Sequence, residues 1–213
     1  MLLKWRDRQN LASHTDLDEI PNTTQTEFFA LLRKHRAQMP HNYRHIRVMA
    51  LSRSAENGYL ALANRTWPLA LGRTGRLARK REGDGATPMG EWHPVGVYYR
   101  PDRVARPASA LSVRALSPCM GWCDAPADRN YNRPVRLPYP ASAEQLWRID
   151  GLYDILVVLD HNLRPRVRGA GSAIFLHCAH PGMAPTEGCL ALRTEHLAQL
   201  IGQLDRTTRI IIA

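Results

Sequence analysis

The stretch "SAIFLHCAHPGMAPTEGCLAL", residues 172–192, decides how this chain is read. An apolar run ends at His177, a loop with two prolines and a glycine follows, and Cys189 stands directly behind Gly188. In its plainest form this is a buried strand with two ordinary core residues, since cysteine is among the most buried residue types. Three features point to chemistry instead. A glycine before cysteine at a loop-to-element junction exposes the side chain and turns backbone N–H groups toward it. An oxyanion hole needs that arrangement, and it also favours the thiolate. The loop is able to reverse the chain and bring a base to the thiol. Strand alternation then places His177 on the face opposite Cys178 and His180, so "HCAH" and Cys189 do not converge as a metal cluster. The candidates are Cys189 as nucleophile, His177 as base and Gly188 as an oxyanion donor, with no metal and no cofactor.

Outward from this stretch the pattern has a period of two. "HIRVMALS" from His45 alternates Ile46, Val48 and Ala50 on one face, and "YLALAN" runs back after the turn-like "SAENG", predicting a hairpin. Further strands are expected at "TWPLALG", "GVYYR", "DILVVLD", "AIFLHCA" and "RIIIA". "RTEHLAQLIGQL" carries Leu197, Leu200, Ile201 and Leu204 as a stripe behind a Thr194 cap, predicting a helix. The fold class is mainly β (α+β), with few helices. "KREGDGATPMGEW" reads as a tight glycine-rich connection. Residues 122–142 read as a long, semi-rigid, proline-rich flap whose arginines suit carboxylates. Residues 1–44 read as a helical extension: Thr24 and Glu27 fit a capping box, Phe28, Leu31 and Leu32 recur at helical spacing, and Pro40 follows.

The histidine precedes the cysteine and lies close to it, the reverse of the papain-like order. The residues resemble the L,D-transpeptidases with a YkuD-type catalytic domain. There a strand ends in histidine, and a Ser/Thr-His-Gly-Cys motif with a following apolar residue comes after a loop. This chain matches at His177, Thr186, Gly188, Cys189 and Leu190, and "ATPMG" (Thr87, Pro88, Gly90) is similar to the family's upstream Thr-Pro-x-Gly element. The resemblance runs from about His45 to the C-terminus. Glu187 departs from it, standing where the family has its second histidine, and so do Ala191 and Cys178. The resemblance implies a β-sandwich or barrel-like sheet over residues 45–213 and a cysteine acyltransferase acting on peptidoglycan stem peptides, sensitive to carbapenems. Its thioester would pass to an amine in cross-linking, or to water in an L,D-carboxypeptidase. Thr186, Arg133, Arg136 and Tyr139 are then the expected substrate contacts, and the periplasm or cell envelope the expected location, with the cytoplasm as alternative.

Composition agrees with a folded domain: 44% hydrophobic and 23% charged residues place the 213-residue chain among globular proteins. The start has no apolar stretch of the kind a signal peptide carries, because Arg6, Asp7 and Arg8 interrupt it, and no run is long enough to span a bilayer. A net charge of +10 suits a polyanionic partner, but the arginines are scattered and no nucleic-acid-binding module accompanies them. A nucleic-acid binder or a non-catalytic cell-wall module are the competing classes. Cys119 and Cys123 in "CMGWC" read first as loop cysteines, then as a disulfide, and last as half a zinc site.

Overall fold

The computed structural model describes residues 45–213. The capping box at Thr24 and Glu27, and the helical extension expected over 1–44, lie outside the described residues. In chain order the first strands are β1 (His45–Met49), β2 (Asn57–Leu62), β3 (Arg65–Ala70), β4 (Arg76–Leu77), β5 (Thr87–Pro88), β6 (Gly90–Trp92) and β7 (Pro94–Tyr99). There follow β8 (Ser112–Ala115), β9 (Met120–Cys123), β10 (Arg133–Arg136), β11 (Ala143–Gln145) and β12 (Ile155–Leu159). The chain closes with β13 (Phe175–Cys178), β14 (Leu190–Leu192), the helix α1 (Thr194–Ile201) and β15 (Arg209–Ile212). The architecture is mainly β, as the periodicity predicts.

Ten strands form one mixed sheet in the order β6-β15-β1-β2-β3-β14-β13-β12-β7-β8. The expected hairpin is present, with Ile46 opposite Leu62 and Val48 opposite Leu60. Pro68 is tolerated inside β3 because the pairing of that strand with β14 begins only at Ala70, so the missing N–H denies no ladder bond on that side.

The central strands read as continuous apolar runs because both of their faces are covered. On one face Val157, Leu159, Leu176, Leu190 and Leu192 pack with Leu197, Leu200 and Ile201 of α1. Each of these three helix side chains contributes about 1.5–3 kcal/mol by leaving water. On the other face Leu156, Val158 and Phe175 pack with Trp122, Leu146 and Tyr153. Every residue of β12 thus enters one core or the other.

One expectation needs correction. The cap of α1 is Arg193, without a side-chain hydrogen bond, and Thr194 is the first helical residue. As the first residue inside the helix, Thr194 stands one position past the cap. Within residues 122–142 the flap is tied at both ends of its first half: Trp122 and Cys123 belong to β9 and Arg133–Arg136 to β10 of a three-stranded sheet, β10-β9-β11, in which Pro134 occupies an outer strand where a missing donor costs little. Cys119 and Cys123 are both free. Four residues apart along extended chain, their Cα atoms are separated by roughly 13 Å, beyond the reach of a disulfide.

Candidate active site

Strands β13 and β14 run parallel, with Leu176 opposite Leu190 and His177 opposite Ala191. Cys189, immediately before β14, therefore falls beside Phe175. Because side chains alternate, Phe175, His177 and Cys189 share the face turned to the flap sheet, while Leu176, Cys178, Leu190 and Leu192 belong to the helix-side core. The fold thus brings the candidate nucleophile Cys189 and candidate base His177 to one face as diagonal neighbours, and sends Cys178 to the other.

The Cys189 thiol donates to the Ala173 carbonyl at 3.1 Å and accepts the Phe175 N–H at 3.3 Å. His177 donates from Nδ1 to the Cys178 carbonyl at 2.8 Å, which fixes the tautomer and leaves Nε2 as the basic nitrogen. Among the described residues no hydrogen bond joins Cys189 to His177 in this state. Both are buried, and burial governs their protonation. It pushes the Cys189 thiol up to about 12, with the Glu144 carboxylate acting in the same direction. It holds His177 down at about 4, with the Arg148 guanidinium adding to the effect. The site therefore contains a neutral thiol and a neutral imidazole.

Aromatic rings wall this pair. Trp122 meets Phe175 edge-on at 5.2 Å, and Tyr153 meets His177 edge-on at 5.2 Å and Phe175 at 5.9 Å. Glu144 of β11 lies in register with Trp122 of β9, and its carboxylate accepts the Tyr153 hydroxyl. Arg148 lies over the other side of the Tyr153 ring at 5.2 Å.

The loop carrying Cys189 is stitched to the strand beside it. The Thr186 N–H donates to Leu71 and the Arg73 N–H to Thr186. Thr186, expected among the substrate contacts, directs its hydroxyl inward: it donates to the Cys189 carbonyl at 2.7 Å and accepts the Gly188 N–H at 3.1 Å. Thr87 of the "ATPMG" element supplies a second, longer contact to the same carbonyl at 3.4 Å while accepting the Gly72 N–H. Both threonines therefore hold the backbone of Cys189 in place. Gly188 has φ +131°, and a Cβ there would stand 2.6 Å from the Ala86 carbonyl. Gly188→Ala is expected to destabilise the protein by about 1–3 kcal/mol and to slow acylation of Cys189 at least tenfold. A thermal melt paired with timed mass spectrometry of the acylated protein checks both.

The remaining expected contacts separate. Arg133 and Arg136 are both exposed, but they project to opposite faces of β10, and Arg136 shares its face with Trp122 and Glu144. The Tyr139 hydroxyl donates to Asp128 and accepts from Asn130, bracing the flap internally. Glu187 pairs with Arg73 at 2.8 Å on the surface. Glu144, Tyr153 and Trp122 were not legible as site residues, because each comes from a separate strand or loop with no motif around it. Trp122, in "GWC", carried the only cue, a large aromatic in an otherwise polar loop.

The sequence model of YkuD, the L,D-transpeptidase catalytic domain, matches residues 50–212. A search among curated proteins returns no match. Among solved structures the chain is similar to L,D-transpeptidase 1 of Mycobacterium tuberculosis, with 14% identity over 79% of this chain and a TM-score of 0.34. It spans 61% of that protein's chain. The family match covers most of the sequence and includes every residue of the cleft: the chain belongs to the YkuD L,D-transpeptidase catalytic domain family.

Proposed function

We propose that this member of the family is a cysteine acyltransferase that takes a peptidoglycan stem peptide as donor. The observation that carries the proposal is the placement of Cys189 and His177 on one face of adjacent parallel strands, with the His177 Nδ1 proton committed to a carbonyl and its Nε2 left as base. The sulfur attacks the carbonyl carbon between meso-diaminopimelate and D-Ala as its proton passes to His177. The imidazolium then protonates the departing amine, D-Ala leaves, and a thioester remains on Cys189. With the Gly188 N–H held by Thr186, the donor assigned to the oxyanion is the backbone N–H of Cys189 itself.

Because both groups are neutral at rest, proton transfer accompanies attack rather than preceding it. An amine acceptor resolves the thioester in cross-linking, and water resolves it in a carboxypeptidase reaction. Envelope location follows from the substrate. No helix among the described residues is long and apolar enough to cross a membrane.

The test is intact-protein mass spectrometry with a disaccharide-tetrapeptide and, separately, a carbapenem. Release of D-Ala with a donor-sized adduct on Cys189 is expected. Binding to sacculi without release or adduct would make the chain a wall-binding module. The flap adds a second check. Arg136→Ala is expected to raise KM for the donor about three- to tenfold with kcat nearly unchanged, the signature of lost uniform binding. Arg133→Ala, on the far face of β10, should leave both constants within twofold. Equal effects from the two would remove the facial assignment.

A further inference from the structure

The acyl-transfer reading leaves open which nucleophile resolves the thioester, and the flap side of the cleft bears on it. Glu144 lies in register with Trp122, whose indole packs on Phe175 beside Cys189, and its Oε1 is anchored by the Tyr153 hydroxyl, whose ring in turn lies edge-on to His177. Its second oxygen, Oε2, has no hydrogen-bond partner among the described residues, and its side chain keeps 27% of its surface accessible. The nearest cation, Arg148, is 4.0 Å from Oε1 and is engaged closely by Asp150. The flap side of the site therefore holds an anchored carboxyl, on the face of β11 that it shares with Trp122, with one oxygen unspent. A carboxylate there hinders formation of the thiolate, since it raises the Cys189 pKa, so it does not assist acylation. Its field favours a cation in the same place.

We propose that Glu144 is the acceptor-side catalytic residue of this site, binding the ammonium of an amine acceptor through Oε2 and taking its first proton. The inference rests on the acyl-transfer reading and names its second substrate class: a primary amine that arrives protonated, rather than water. One N–H proton passes to Glu144, leaving a neutral amine and a carboxylic acid. The nitrogen lone pair attacks the thioester carbonyl carbon. As the tetrahedral intermediate collapses, the C–S bond breaks and an amide forms. The second proton passes from nitrogen to His177 and from there to the departing Cys189 sulfur, and Glu144 returns its proton to solvent. Burial, with Asp124 and Glu82 nearby, raises the Glu144 pKa against the pull of the Tyr153 hydrogen bond, which brings it closer to the pH at which such a transfer must run.

The experiment separates acylation from transfer. Wild type, Glu144→Gln and Tyr153→Phe are first acylated with the donor. Each is then offered a stem peptide with a free diaminopimelate amine or, separately, hydroxylamine, which is uncharged near neutral pH. For Glu144→Gln, acylation within threefold of wild type is expected. Transfer to the stem amine should fall at least tenfold while transfer to hydroxylamine changes less than threefold. Tyr153→Phe, which keeps the carboxyl but frees it, should give a smaller loss confined to the stem amine. Acylation and both transfers falling together in variants that melt like wild type would make Glu144 a structural support and overturn the proposal. Undiminished transfer to the stem amine would overturn it as well. A wild-type protein that forms no acyl-enzyme would instead sink the acyl-transfer reading beneath it.

Discussion

Cys189→Ser is expected to lower kcat/KM for donor turnover by at least about 10³-fold while leaving the fold intact. The serine hydroxyl can still donate to the Ala173 carbonyl and accept the Phe175 N–H, the two contacts the thiol makes, so the buried polar groups around it remain satisfied. What is lost is the sulfur that the acyl-transfer reading makes the nucleophile. A hydroxyl is far less acidic than a thiol, and the imidazole on its face is already held down at about 4 by burial. Cys189→Ala is the sharper chemical null but leaves the Phe175 N–H without its acceptor, at a cost of about 1–3 kcal/mol. The serine variant is therefore the one to compare by thermal melt. Activity is followed by D-Ala release and the acyl adduct by intact mass. Donor turnover retained in Cys189→Ser would mean that the sulfur is not the attacking atom and would return the thiol to a packing role.

That sequence could place His177 and Cys189 on one face follows from how close the two residues are along the chain. His177 and Cys189 end and begin neighbouring strands joined by one loop, so a local reading of alternation and turn chemistry is enough to place them on one face. The strands of the main sheet were legible for a related reason. In β12 and β13 both faces are buried, and the composition shows it directly. The helix was legible but its cap was displaced by one residue, because helix ends are set by backbone geometry that a residue-type rule locates only to within a position or two.

The flap shows the same boundary. Prolines around Arg133 and Arg136 suggest a loop, yet the pairing of β10 and β11 with β9 makes a small sheet, and it is that sheet which carries Trp122 and Glu144 onto the nucleophile's side. Tyr153 reaches His177 from a loop before β12 and meets Glu144 nine residues back. Long-range pairing assembled these residues, so only the fold could reveal them. Charge and a place in the flap do not distinguish Arg133 from Arg136; the pleat of β10 does.

His177→Asn is expected to lower turnover about 10²–10⁴-fold, the range for removing a positioned general base, and also to flatten the acid limb of the stability curve. The second effect follows from linkage. In the folded protein His177 titrates at about 4, against an ordinary value of 6.5. Above 6.5 the residue is neutral in both states and its full contribution is present. As the pH falls below 6.5 the unfolded chain takes the proton first, and the loss is complete once the pH has passed through about 4. That difference corresponds to about 3 kcal/mol. Glu144 works in the opposite sense: its raised pKa means the folded protein binds its proton more readily, so its contribution declines as the pH rises above its ordinary 4.5. The two overlap, and the wild-type curve alone cannot separate them, but the difference between wild type and His177→Asn isolates the imidazole. Urea unfolding at intervals from pH 4 to 7.5 measures it. A variant whose stability falls as steeply as wild type between pH 6.5 and 4 would show that His177 meets solvent in the folded state. It could then no longer be the buried base that receives the Cys189 proton only as the substrate is attacked.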